Sequence, residues 1–173
     1  KDPVKSDPVW ASEARALFVG LALYVMESDT MPSTIGAINR LLGTEQDLGD
    51  ICRHIVSKHP ELSSTIKKSL MNFANKAAKE RSGVKSSLNQ AINLWDNPVI
   101  DAATSASDFS ISDMRKKRMA VYVGVLTGQI QTLAPLLRIF FEQVITTLSL
   151  KEPDETEPYK VLLMMDEFHM LGE

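Results

Sequence analysis

The sequence predicts a mainly α protein, a helical bundle over roughly the first hundred residues followed by a shorter strand, helix, strand segment. Three observations carry this. Hydrophobic residues make up 44% of the 173, yet aromatics are only 6%, with eight Gly and eight Pro; a core of Leu, Ile, Val, Ala and Met suits helices better than a barrel or sandwich. Apolar residues recur at helical spacing through most of the first hundred positions. Beyond them, two short apolar runs bracket one long helical pattern, which is the texture of buried parallel strands around a crossover helix.

Asp7-Pro8 reads as an N-cap with proline at the first helical position. The helix it opens runs to about Glu27, and its apolar residues, Leu17, Phe18, Val19, Leu21, Leu23, Tyr24 and Val25, lie nearly all round. A helix of that kind is enclosed by others and belongs at the centre of a bundle. Met31-Pro32-Ser33-Thr34 breaks and recaps the chain, a short helix carries Ile35, Ile38, Leu41 and Leu42, and Gly43 stops it. Another helix covers about Glu45 to Lys58. From Glu61, at about 100° per residue, Leu62, Ile66, Leu70, Phe73 and Ala77 fall in one arc roughly 80° wide. Leu88, Ile92 and Trp95 share a face of a further helix closing at Asn97-Pro98. Residues 1–104 are therefore expected to be one all-α domain.

The remainder, 105–173, opens with a Ser/Thr-rich connector and the basic run Arg115 to Arg118. A strand is expected at Met119 to Val125, a helix at about Thr132 to Leu150 with Pro135 in its first turn, and a second strand at Lys160 to Met165 after an acidic loop.

Composition excludes several classes. With 24% charged residues and a net charge of −3, the chain is neither a disordered tail, a collagen-like fibre nor a disulfide scaffold. Its single cysteine, Cys52, has no bridging partner and forms no ligand cluster with His54 or His59, which fits a reducing compartment. The longest apolar run, Ala16 to Met26, is 11 residues and contains Gly20, short of the roughly 20 that span a bilayer. The chain begins at Lys1 and its first Met is Met26, as expected of a piece of a longer protein.

Two features carry chemistry. Val161-Leu-Leu-Met-Met165 ends in Asp166-Glu167, the shape of a Walker B element, in which a buried strand delivers two carboxylates to the carboxyl edge of a sheet. Asp166 is the candidate for the Mg²⁺ shell and Glu167 for orienting or deprotonating the attacking water. The phosphate-cradling Gly-x-x-x-x-Gly-Lys-[Ser/Thr] is absent, so this segment is not expected to hold ATP or hydrolyse it alone. The second feature is charge: residues 51–89 carry eight basic side chains against two acidic ones, a surplus of +6, while 1–50 and 151–173 are acidic. Lys67, Lys68, Lys76, Lys79, Arg81 and Lys85 are the candidates for DNA or substrate contact; a solvated lysine-rich helix face is the other reading. Trp10, Trp95, His54, His59 and His169 are read as packing or loop residues.

Taken in order, Asp7-Pro8-x-Trp10, Ala14-Arg15-Ala-Leu-Phe18, Trp95-x-Asn97-Pro98, Ser107-Asp108-Phe109, Val121-Tyr122, Leu133-x-Pro135-Leu-Leu-Arg138-x-Phe140-Phe141 and Asp166-Glu167-Phe168-x-x-Leu171-Gly172 resemble the coupling proteins of conjugation and type IV secretion, the TraG-like family. The resemblance covers nearly the whole chain. It implies an inner-membrane-anchored hexameric ATPase whose RecA-like nucleotide-binding domain carries an inserted all-α domain facing the cytoplasm. Such a protein receives relaxase-bound DNA or effector proteins and passes them to the secretion channel. It further implies that 1–104 is the substrate-recognising all-α domain, that 105–173 is part of the RecA-like domain ending just after Walker B, and that ATP and Mg²⁺ act only in the full-length protein. Two other readings stay open: a helical adaptor that binds protein partners only, and a domain of another RecA-like translocase.

Overall fold

The structure, a computed structural model, describes residues 8–166. The predicted Asp7 N-cap, and Glu167 to Gly172, lie outside the described residues. Seven α-helices are described, α1 (Pro8–Glu27), α2 (Ile35–Leu42), α3 (Leu48–Lys58), α4 (Ser64–Ala74), α5 (Ala78–Ile92), α6 (Pro98–Ala103) and α7 (Ile130–Ser149), with short 3₁₀ turns at Asn93–Asp96, Ile111–Arg115 and Thr127–Gln129. The chain forms two compact units that divide between Ala106 and Ser107.

In the first unit α1 packs against α2, α4 and α5. It buries Ala14, Leu17, Leu21, Tyr24 and Val25, a stripe at three- and four-residue spacing. Leu17 and Leu21, at 1% and 0% exposure, contribute about 1.5–3 kcal/mol each. Although α1 is apolar enough all round to suggest full enclosure, one side is open: Val19 and Met26 are exposed. By length and composition Val9–Glu27 is sufficient to cross a membrane, but in this fold its inner stripe is the core of the bundle.

Capping sets the helix limits. Thr34 accepts a bond from the Ala37 N–H at 3.1 Å, and the Gly43 N–H closes the end of α2 on the Asn39 carbonyl. Asp47 rather than Glu45 starts α3, accepting from the Asp50 N–H. The predicted arc from Leu62 overruns its helix: Leu62, Ile66, Leu70 and Phe73 are buried, but α4 stops at Asn75 and Ala77 is exposed. At Asn97-Pro98 the chain does not simply close. Asn97 accepts from the Val99 N–H at 2.9 Å and Pro98 opens α6, the same cap chemistry that the sequence shows at Asp7-Pro8. Trp95 is buried there, its Nε1–H donating to Thr104 Oγ1 at 2.8 Å, and Trp10 rests on Gly83.

In the second unit α7 is the one long element. It starts at Ile130, so Pro135 stands in its interior rather than its first turn; Pro135 is exposed, where water can take the carbonyl it leaves unbonded. No strand forms among the described residues. Residues 119–125 and 160–165 run without a pairing ladder, and one backbone bond, from the Tyr159 N–H to the Arg115 carbonyl at 3.1 Å, joins their approaches. Strand pairing is a property of the neighbours as much as of the segment, and an isolated pair is marginal in water. The loop 151–159 is ordered by charge: Lys151 bonds Asp154 at 2.7 Å, Asp154 accepts from the Thr156 N–H and hydroxyl, and the buried Glu157 sits between Lys151 and Arg115.

At Gly20 the backbone of α1 meets α4 so closely that an added Cβ would lie 2.8 Å from Ser69 Cβ. Gly20→Val is therefore expected to destabilise the chain by about 1–3 kcal/mol in urea unfolding, while Val19→Ala, on the exposed side, changes stability by no more than about 0.5 kcal/mol. Equal effects at the two positions would contradict this packing.

Candidate functional site

The two extended segments, α7 and the Thr127 turn line one cleft of about 790 Å³. Met119 to Val125 and Lys160 to Asp166 contribute to its wall together with Ile130, Leu137, Phe140, Phe141 and Val144. Tyr122 is 93% exposed, Leu162 80% and Met164 85%. Apolar side chains thus face both into the cleft and outward, as they do in strands that a sheet covers on both faces. Asp166 is exposed at the far end of the second segment and borders the same cleft as Val125 and Thr127. A carboxylate at such an edge has the hard oxygen chemistry that Mg²⁺ or its water shell requires. Its neighbour Glu167 lies outside the described residues.

The six basic candidates do not share one role. Lys67 Nζ donates to the Pro60 carbonyl at 2.6 Å, Lys76 pairs with Glu13 at 3.1 Å, and Arg81 donates to the Lys76 carbonyl at 2.7 Å while reaching Asp47 at 3.3 Å. Those three are committed to internal partners, Lys76 and Arg81 tying helices to their neighbours and Lys67 closing on the loop before α4. Lys68 on α4 and Lys79 on α5 are exposed, and with the half-buried Lys85 they have no ion-pair or hydrogen-bond partner among the described residues. Lys79 and Lys85 are six residues apart, roughly 240° around a helix, so they occupy different faces of α5. Arg53, within the same basic stretch, bonds Asp50 and the Ala74 carbonyl.

The remaining candidates are structural. Cys52 is fully buried, and burial pushes its thiol up to about 12, which leaves it a poor nucleophile. His59 Nδ1 lies 2.9 Å from Glu61, with the Tyr24 ring beside it at 6.0 Å between centroids. Of the basic run, Arg115 is tied to the Lys151 carbonyl and Glu157, and Lys117 to Asp113. Among the described residues no cluster of three or more His, Cys, Asp or Glu is arranged to hold a metal ion.

The family described as Type IV secretory system Conjugative DNA transfer matches residues 1–173, and the chain belongs to this TraG-like family of type IV coupling proteins. Among its relatives, VirD4 of Rhizobium rhizogenes is 35% identical over 161 residues, covering 92% of this chain and 23% of that protein. VirD4 of Agrobacterium fabrum (strain C58) is 34% identical, covering 92% and 24%. The conjugal transfer protein TraG of Escherichia coli is 24% identical, covering 95% and 28%. The chain therefore spans about a quarter of the length of these relatives. No solved structure matches it significantly.

The division of the cations generates a prediction. Arg81→Ala removes two helix ties and is expected to cost about 1–3 kcal/mol, whereas Lys68→Ala and Lys79→Ala stay within about 0.5 kcal/mol of the parent. For Asp47, desolvation opposes ionisation, but the bonds from Arg81 and the Asp50 N–H outweigh it and hold the carboxyl below its usual range. Its stabilisation is thus present above a pH of about 4, where the unfolded chain's carboxylate is ionised, and is lost as pH falls through the folded value. Thermal melts from neutral pH downward check this: Asp47→Asn flattens the acid limb, and an unchanged limb would refute the assignment.

Proposed function

We propose that this chain is the cytoplasmic substrate-receiving domain of a type IV secretion coupling protein, with its second unit contributing the Walker B edge of a RecA-like nucleotide-binding domain. The observation that supports this best is Asp166 at the end of an unladdered apolar segment, beside a second such segment and over the apolar face of α7. Both segments expose side chains that only further strands and helices would cover, and the chain is about a quarter of its relatives' length. On this reading strand 119–125, α7 and strand 160–165 are a crossover unit completed by the rest of the protein. The parent is a hexamer at the inner membrane, and its cargo is relaxase-bound DNA or effector proteins handed to secretion-channel components.

In the full-length protein Asp166 holds the Mg²⁺ shell and Glu167 takes the proton of the attacking water. Bound Mg²⁺ supplies charge neutralisation at the phosphoryl oxygens. Triphosphate contacts come from outside this sequence, which contains no P-loop. Of the six basic candidates, Lys68, Lys79 and Lys85 are the ones left to meet phosphates, and the commitment of Lys67, Lys76 and Arg81 to internal partners favours the adaptor alternative to that extent.

Two experiments test these roles. Glu167→Gln in the full-length protein is expected to abolish ATP hydrolysis with ATP binding largely intact; parental turnover would exclude Glu167 as the base. Fluorescence anisotropy with single- and double-stranded oligonucleotides is expected to report binding that weakens steeply with salt and is lost in Lys68→Glu/Lys79→Glu/Lys85→Glu. No binding at low salt would remove the DNA role.

A further inference from the structure

Among the described residues Glu157 is the one buried polar or charged side chain, and it stands in the loop that leads into the second extended segment. Its Oε1 lies 3.4 Å from Lys151 Nζ and its Oε2 3.9 Å from Arg115 Nη1. Arg115, itself mostly buried, holds this loop at three places. Its guanidinium donates to the Lys151 carbonyl at 3.3 Å and faces Glu157, and its own carbonyl accepts from the Tyr159 N–H at 3.1 Å. The 3₁₀ turn Ile111–Arg115 packs on α7, and Arg115 and Glu157 border a cavity of about 550 Å³ together with Ile145 and Leu148 of that helix. One arginine thus joins the approach to segment 119–125, the end of α7 and the approach to segment 160–165.

Stability alone does not favour such a cluster. A buried carboxylate loses its hydration, and exchanging a buried ion pair for apolar side chains commonly leaves a fold as stable or more so. What the cluster supplies is a fixed alignment. Val161-Leu-Leu-Met-Met165 is apolar at every position, so sliding it by one residue exchanges one apolar face for another; the hydrophobic pattern that pins an alternating strand is missing here. The same slide moves Asp166 by about 3.3 Å and turns it to the opposite face. A single backbone bond does not prevent this, because every residue but proline offers the same amide and carbonyl. The side-chain pair does, since a shifted loop carries its carboxylate away from a guanidinium anchored on α7.

We infer that Arg115 and Glu157 are positioning residues that set the register of segment 160–165 against 119–125, and with it the face on which Asp166 meets the Mg²⁺ of a bound nucleotide. The inference rests on the Walker B reading of Asp166 and adds to it the residues that aim the carboxylate.

The test measures the affinity of a fluorescent ATP analogue for the full-length protein with and without Mg²⁺. The ratio of the two affinities is the coupling of metal to nucleotide. Asp166→Ala is expected to reduce that ratio by about tenfold. Glu157→Gln and the double variant Arg115→Met/Glu157→Met are expected to reduce it to a similar level, with parental metal-free affinity and parental melting temperature. The methionine pair keeps the packing without the tie, so a purely structural role for the ion pair leaves its ratio unchanged. Lys117→Ala, which removes only the pairing with Asp113 beside the same turn, retains the parental ratio. Should Glu157→Gln melt early because Arg115 is left buried without its counter-charge, the double variant decides. A parental ratio in the double variant, beside a reduced one in Asp166→Ala, overturns the inference alone. A parental ratio in Asp166→Ala removes the Walker B reading and the inference with it.

Discussion

Where α1 crosses α4, Gly20 lets the two backbones come together over Ser69, whose hydroxyl donates to the Ala16 carbonyl at 2.7 Å. That contact fixes both the rotation and the direction of the pair. Leu17 and Leu21 are turned into the core; Glu13 is set beside Lys76, and Tyr24 beside His59, so α4 runs antiparallel to α1. On the other flank Trp10 lies on Gly83 of α5. With α1 clamped this way, α4 carries α3 against it, and the Arg53 and Arg81 guanidiniums reach carbonyls at the α4–α5 junction. The basic residues left unpaired are those that this arrangement does not use.

Much of the helical unit was legible because its signals are local. Thr34, Gly43 and Pro98 act on the backbone within a few residues, and the stripe Ile66, Leu70, Phe73 needs only a helix to become a face. α6 was equally legible: Asn97-Pro98 is a cap followed by a first-turn proline, and reading it as a terminus alone missed the helix it opens. Charge pairing was not legible in that way. A count over residues 51–89 gives a large surplus, but Glu13 and Asp47, which offset Lys76 and Arg81, come from another part of the sequence, where only the fold brings them near.

The second unit shows the limit from the other side. The β-branched run at 119–125 and the apolar run before Asp166 state a preference for extended backbone, and both are extended between their turns. A ladder needs partners at the right distance, and neither segment has one among the described residues. Pro135 illustrates the same dependence on context: whether it falls in a first turn or an interior depends on where α7 begins, and the 3₁₀ turn at Thr127–Gln129 leads into the helix earlier than the apolar pattern does.

Asp101 fastens α6 to α2 in the helical unit. Its carboxylate occupies the space beside Gly36 in the first turn of α2, where the partial positive charge of a helix start favours an anion, and it takes the Arg40 guanidinium at the same time. One side chain therefore anchors α6 on α2 and pairs with the Arg40 guanidinium. Lys68 and Lys79 lie on α4 and α5 with their charges uncommitted. The ion pairs that hold the helices together therefore also determine which cations of the domain remain available.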